Sequence, residues 1–250
     1  MLKTDKVTIK FGGLTAVNQV SVHIRPNQIT GLIGPNGAGK TTFFNCISGV
    51  YKPNSGTVNF MGQEIQGWKP YQINKIGITR TYQNINLFRK MTVQENVLVG
   101  MHSRLKSNYL TDMFHIPSQQ KEEKIAYEKA YEWLKFVGLE PYAKDQTGSL
   151  SYGKQRLLEI VRGLASDPKL ILLDEPAAGM NSQEKLELDE LLQRILKLGV
   201  TILMVEHDMK LVMGVCHEIY VLAEGKLLAH GTPAEVQSNP DVIAAYLGGE

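Results

Sequence analysis

The chain has 250 residues, with 27 lysines and arginines against 25 aspartates and glutamates and only two cysteines. At about 150 residues per domain this is one large domain or two modest ones, long enough to build a core without staples. Hydrophobic residues at 43% and charged residues at 21% exclude a mainly disordered chain. The net charge of +2 carries no polyanion-binding signal, and Cys46 and Cys216 form no CxxC pair. The N-terminal MLKTDKVTIKFGG has scattered charges and nothing like a signal peptide. No run approaches the roughly 18–20 apolar residues of a membrane span. A soluble intracellular chain is expected, with any membrane role coming through a partner.

In chain order, VTIK (7–10), VSVHI (20–24) and TVNF (57–60) read as strands between Gly, Pro and Asn turns. ITGLI (29–33) is a buried strand running into a Gly-rich loop, followed by a helix from about Lys40 to Ser48 with Gly49 past its end. From about residue 80 to 165 the character is helical. Within Lys121 to Val137, Ala126, Ala130, Trp133, Leu134 and Val137 share one face and Gly138 ends it, whereas His102 to Pro117 reads as a surface insertion. Strand–helix alternation then returns. LILLD (170–174) and TILMV (201–205) flank a helix with Leu188, Leu191, Leu192 and Ile195 on one face. A second helix presents Met209, Val212, Met213 and Cys216, and IYVL (219–222) with KLLA (226–229) forms a hairpin around Glu224-Gly225. The pattern is an α/β core carrying a mostly helical insertion.

Gly34-Pro35-Asn36-Gly37-Ala38-Gly39-Lys40-Thr41 matches GxxxxGKT, with Thr42 next in line. Glycines let backbone N–H groups converge on phosphate oxygens at a helix N-terminus. Lys40 is expected to reach the β- and γ-phosphates and Thr41 to bind Mg²⁺. The strand before the loop and the helix after it set this apart from an ordinary Gly-rich turn. Further on, the apolar LILL ends in Asp174-Glu175. A buried strand ends in acid only where something there needs the charge. Asp174 is expected to hold Mg²⁺ through its water shell and Glu175 to accept a hydrogen bond from attacking water. Asn74-Lys75-Ile76-Gly77 lacks the aspartate of a guanine-reading element, which argues against a GTPase.

Leu150-Ser-Tyr-Gly-Lys-Gln-Arg156 resembles the signature loop of ATP-binding-cassette (ABC) ATPases. Gln83 sits where that family has its Q-loop glutamine, His207 follows strand 201–205 as the switch histidine does, and Phe11 precedes Gly34 by 23 residues, where the family's aromatic stacks on adenine. The resemblance implies a P-loop NTPase core with an antiparallel β subdomain (1–82 and 166–250) and a helical subdomain over about 83–165. It further implies ATP and Mg²⁺ as ligands, with Glu175, His207 and Gln83 catalytic and Thr41, Gln83 and Asp174 at the metal. Phe11, the residues from Gly34 to Thr42, Ser151 and Gly153 are the expected nucleotide contacts. Pro176 to Asn181, Glu206 to Gly214 and the tail Asn239 to Gly248 look like ATPases of bacterial branched-chain amino-acid importers, most like the longer of the two in such systems. That resemblance implies transmembrane permease subunits, a second cassette (itself or a paralogue) and, indirectly, an extracytoplasmic solute-binding protein. It implies no nucleic-acid partner, and a peripheral place on the cytoplasmic face of the inner membrane. The alternatives are an importer ATPase for urea or amides, or a soluble ABC ATPase acting on nucleic acid or ribosomes; the single cassette and the absence of a basic arm speak against the last.

Tyr152, Lys154 and Asn181 depart from the family pattern. Lys154 is expected to face solvent, and Asn181 stands where many cassettes have aspartate. Cys46 and Cys216 are expected in the core, and Trp68 and Tyr71 in a packed loop.

Overall fold

The computed structural model describes residues 1–101 and 117–247, so the expected surface insertion lies, Pro117 apart, outside the described residues. The chain divides into two compact units, Met1–Gln83 with Lys169–Glu250 and Asn84–Pro168.

In the first unit, β1 (Leu2–Phe11) pairs antiparallel with β2 (Leu14–Val20), with the short β3 (His23–Ile24) and with β5 (Ser55–Phe60), which in turn pairs with β6 (Gln63–Glu64). The strand expected at 20–24 is thus two pieces. Val20 faces Val7 while His23 faces Lys3, and the chain changes pairing between them. Side chains satisfy the backbone at this crossing: Val22 N–H donates to Thr4 Oγ1 at 2.9 Å and Lys6 N–H to Ser21 Oγ at 2.9 Å. Two such bonds permit a break that alternation alone does not reveal.

The second sheet has the order β11-β10-β4-β9-β8-β7, formed by β4 (Ile29–Ile33), β7 (Ile78–Arg80), β8 (Leu170–Asp174), β9 (Thr201–Val205), β10 (Glu218–Ala223) and β11 (Lys226–Gly231). All neighbours are parallel except the β10–β11 hairpin. Strands β4, β8 and β9 are buried at every residue, as central parallel strands covered on both faces must be. Leu32 pairs with Val205 and Asp174 also pairs with Val205. Three loops therefore leave one edge of the sheet at the same level, the carboxyl edge where open α/β sheets bind ligands.

Helix α1 (Lys40–Ile47) follows β4, and α2 (Pro70–Lys75) precedes β7. Trp68 packs against the core, but Tyr71 on α2 is exposed, so only half of that expected packed loop forms. Cys46 and Cys216 are buried as expected, and burial pushes both thiols up to about 12.

The second unit holds α3 (Val93–Met101), α4 (Pro117–Phe136) and α5 (Tyr152–Leu164). On α4, Ala126, Ala130 and Leu134 are buried, while Trp133 is only partly so and meets Phe136 edge-on. Gly138 past the helix end takes a positive φ of 69°. Two buried polar clusters hold this unit together. Asn96 Nδ2 donates to Phe88 O, Thr92 O and Thr147 Oγ1, and Arg156 pairs with Glu159 at 2.9 Å with both side chains buried. Desolvation pushes the Glu159 carboxyl up; a hydrogen bond from Asn86 N–H and the Arg156 charge act against it.

Back in the first unit, α6 (Ser182–Lys197) buries Leu188, Leu191, Leu192 and Ile195 as its period predicts. Helix α7 (Met209–Val215) agrees in part: Val212 and, just past the helix, Cys216 are buried as expected, but so are Leu211 and Val215, while Met209 and Met213 are only partly covered. Seven residues are too few for periodicity to fix a face, and the start is set by Asp208, whose side chain caps Leu211 N–H. Helices α8 (Pro233–Gln237) and α9 (Pro240–Leu247) end the described chain; Thr232 and Glu235 form a capping box that opens α8.

Asp208 also accepts a 2.6 Å hydrogen bond from Lys185, and these two bonds hold its carboxyl below the usual value. Asp208→Ala is expected to cost about 1 kcal/mol, mostly the cap, since the partly exposed ion pair adds little. Because the folded-state pKa is depressed, this contribution is full above about pH 4 and fades as pH falls through the lower folded value. Urea unfolding of both proteins at pH 7 and at stepwise lower pH should show the difference shrinking.

Candidate nucleotide-binding and hydrolysis site

The loop leaving β4 wraps back on itself before α1. Gly34, Gly37 and Gly39 have φ of 148°, 79° and 93°, conformations that side chains resist. A Cβ on Gly34 would stand 2.0 Å from Leu222 O and one on Gly39 2.4 Å from Ala16 O, so neighbouring backbone excludes any larger residue at either place. Gly39 is the N-cap of α1 and supplies no side-chain cap. The first-turn N–H groups of Lys40, Thr41 and Thr42 are thus left to other acceptors. Lys40 Nζ donates to Gly34 O at 2.7 Å and Pro35 O at 2.9 Å, bridging the loop, and its desolvation lowers its pKa against the opposing pull of Glu175.

An open depression of about 570 Å³ lies against this loop. Asn36 through Thr42 line it with Glu175, and Phe11 stands at its border, exposed and edge-on to Tyr51 at 5.2 Å. An exposed aromatic ring there presents a face on which a planar group can stack.

Asp174 and Glu175 end β8 with opposite fates. Asp174 is buried and ion-paired to Arg80 at 2.7 Å. Glu175 takes a left-handed backbone, φ 48°, a strain of order 1–3 kcal/mol for a residue with a side chain. Its N–H still donates to Val205 O at 2.9 Å. That turn aims the two carboxylates differently. Glu175 Oε2 accepts from Gln83 Nε2 at 2.9 Å and lies 3.8 Å from His207 Nδ1. Glutamate, glutamine and an exposed imidazole are therefore gathered from three separate strand ends.

Glu206 was not singled out by sequence reasoning, yet it builds this corner. It is buried, and its carboxylate accepts from the N–H groups of Ala177 (2.7 Å), His207 (2.9 Å) and Asp208 (3.1 Å). An acid next to the His207 motif at the end of an apolar strand is the same signal that marked Asp174. Arg80 was missed too, because a lone arginine at the end of a three-residue strand has no pattern.

Ser151 and Gly153 belong to the second unit. Ser151 is the exposed N-cap of α5, its Oγ accepting from Lys154 N–H, while Gly153 in the first turn is buried. Lys154 does not stand free in solvent as expected: its Nζ donates to Tyr142 OH and sits over that ring, 3.9 Å from the centroid. Asn181 caps α6 in a box with Glu184, work that asparagine does as well as aspartate.

A family model described as ABC transporter matches residues 17–178. The chain belongs to the ABC transporter ATP-binding family. A second model, branched-chain amino acid ATP-binding cassette transporter, matches residues 226–250. The high-affinity branched-chain amino acid transport ATP-binding protein LivG of Escherichia coli is 47% identical over 249 residues, covering 99% of this chain and 98% of that one. The corresponding BraF of Pseudomonas aeruginosa is 45% identical with the same coverage. Among solved structures, the ADP conformation of an ATP-binding cassette of an ABC transporter matches with a TM-score of 0.87 at 32% identity, over 99% of this chain and 98% of that chain. A dimeric bacterial ABC transporter cassette matches with 0.77 at 26% identity, over 93% and 99%. The cassette fold read from the motifs is thus the observed one.

Gly34→Ala should cost the cassette about 1–3 kcal/mol through backbone strain and the clash at Leu222. Chemical unfolding measures the loss, and a wild-type midpoint would mean the loop tolerates a Cβ.

Proposed function

We propose that this cassette binds ATP on the loop from Gly34 to Thr42 and hydrolyses it with Glu175, to energise a branched-chain amino-acid importer. The observation that carries the catalytic part is the cluster of Glu175, Gln83 and His207, with Glu175 bonded to one and 3.8 Å from the other. Glu175 accepts a proton or hydrogen bond from water as it attacks the γ-phosphoryl group, and His207 steadies the water and the phosphate in line. Gln83 holds the Glu175 carboxylate until that water is present. The helix N-terminus and Lys40 neutralise charge on the phosphates. Phe11 stacks on adenine.

The residues that would hold a metal, Thr41, Asp174 and Gln83, bring hard oxygen donors, a hydroxyl, a carboxylate and an amide carbonyl, which suits Mg²⁺. Bound there with ATP, Mg²⁺ would supply charge neutralisation at the β- and γ-phosphates. Among the described residues no cluster of His, Cys, Asp and Glu offers a separate metal site.

Ser151 and the Gly153 backbone stand at the start of a 13-residue helix, the geometry for accepting a phosphate from a second cassette. Two copies, or this chain and a paralogue, would close around ATP in that way, and closure would do work on permease subunits in the membrane. No helix among the described residues is long and apolar enough to cross a membrane. As the ATPase of an importer that draws on ATP, the cassette would sit as a peripheral subunit on the cytoplasmic face of its permease. The solute assignment is supported by the names of LivG and BraF and by the match of the tail.

Glu175→Gln is expected to bind ATP with near wild-type affinity and to hydrolyse it about 10²–10⁴ times more slowly. Phosphate release under single-turnover conditions measures this, and a wild-type rate removes Glu175 as the base. In the native host, deletion of the gene should abolish high-affinity uptake of labelled leucine, isoleucine and valine, with rescue by wild type and not by Glu175→Gln. Uptake of these unchanged, with urea or amide uptake lost instead, would reassign the solute.

A further inference from the structure

The Arg80 side chain is almost completely buried and belongs to none of the motifs. Its guanidinium makes three hydrogen bonds to two different elements. Nη2 donates to Asp174 Oδ2 at 2.7 Å, at the end of β8. Nη1 donates to Asn45 Oδ1 at 2.6 Å and to Ser48 Oγ at 2.8 Å, on and just past α1. The plane lies beside the Phe44 and Tyr82 rings, 5.6 and 5.2 Å from their centroids. Asn45 is four residues beyond Thr41 and so on the same face of α1, one turn along. One rigid fork thus ties the helix bearing the Thr41 hydroxyl to the strand bearing the Asp174 carboxylate.

We propose that Arg80 is a positioning residue for the metal of the ATP site, fixing the Asp174 carboxylate and the Thr41 helix relative to one another. The inference rests on the proposed Mg²⁺–ATP site and adds a residue to it. The Arg80 bond to Oδ2 fixes the orientation of the Asp174 carboxylate, whose remaining acceptor capacity would serve the metal's water shell. A guanidinium does this where an ammonium does not, because its donors are coplanar and set apart at fixed angles. Arg80 also supplies the cation that a buried carboxylate requires. Its guanidinium bonds to Asp174, Asn45 and Ser48 and does not line the hollow against the phosphate loop, so its effect is expected on metal affinity and not on ATP binding as such.

The test separates the two affinities. Mn²⁺ binding in the presence of a non-hydrolysable ATP analogue is followed by the electron paramagnetic resonance signal of free Mn²⁺. Affinity for a fluorescent ATP analogue is measured in EDTA. Four variants are compared with wild type: Arg80→Lys, Arg80→Met, Asp174→Asn and Arg80→Met with Asp174→Asn. Arg80→Lys keeps the charge and guards against simple misfolding; thermal melting checks each protein. The expected result is at least a tenfold weaker Mn²⁺ affinity in both Arg80 variants, with metal-free nucleotide affinity within twofold of wild type. The double variant should bind Mn²⁺ no more weakly than Asp174→Asn alone. Wild-type Mn²⁺ affinity in Arg80→Lys and Arg80→Met overturns the proposal, as does an equal loss of metal-free nucleotide binding, which would mark Arg80 as structural only. If wild type itself shows no nucleotide-dependent Mn²⁺ binding, or Asp174→Asn leaves it unchanged, the metal-site reading beneath the proposal fails instead.

Discussion

The site depends on the register of three buried parallel strands. Leu32, Asp174 and Val205 share one level across β4, β9 and β8, so the loops that follow emerge side by side although they are more than 30 residues apart in sequence. A one-residue slip would exchange the two faces of these strands, and because both are buried and close-packed against different neighbours, the register is held. Catalytic geometry is in this sense a by-product of core packing. The phosphate loop, the paired acids and the histidine need only be the next residues after their strands.

Placing acids at such an edge carries an electrostatic cost, and the fold meets it in two ways. Asp174 receives a cation, Arg80, in a buried pair. Glu206 receives three backbone N–H groups instead. The first solution leaves a charge that a ligand can engage; the second consumes the carboxylate in holding loops. Glu175 is treated differently again, partly exposed and turned by its left-handed backbone toward Gln83 and His207. Three neighbouring acids thus differ in role because their surroundings differ, not their chemistry.

Much of this was legible in the sequence. Apolar runs of strand length marked β4, β8 and β9, and GxxxxGKT announced its loop in full. The pattern of α6 gave its buried face, because sixteen residues contain several turns. Legibility failed where elements are short or polar groups substitute for periodicity. The 20–24 strand broke because Thr4 and Ser21 took over backbone bonds. Helix α7 buries Val212 and Cys216 of its expected face together with Leu211 and Val215, a shift that seven residues of weak period could not reveal. Arg80 was invisible as a functional residue, since what distinguishes it is a set of partners scattered over the chain, whereas Glu206 carried a readable signal as an acid directly after an apolar strand. The capping box at Thr232-Pro-Ala-Glu235 was a readable helix start that the strand-rich surroundings masked.

The three N–H bonds to Glu206 bear on how experiments at the neighbouring histidine are interpreted. The backbone from His207 to Asp208 is anchored by the carboxylate beneath it and not by the imidazole, which stands largely in solvent. Truncating His207 therefore leaves the loop with its scaffold. Any change in turnover from such a truncation reports the ring's own participation, uncontaminated by a collapsed loop, whereas truncating Glu206 would confuse the two.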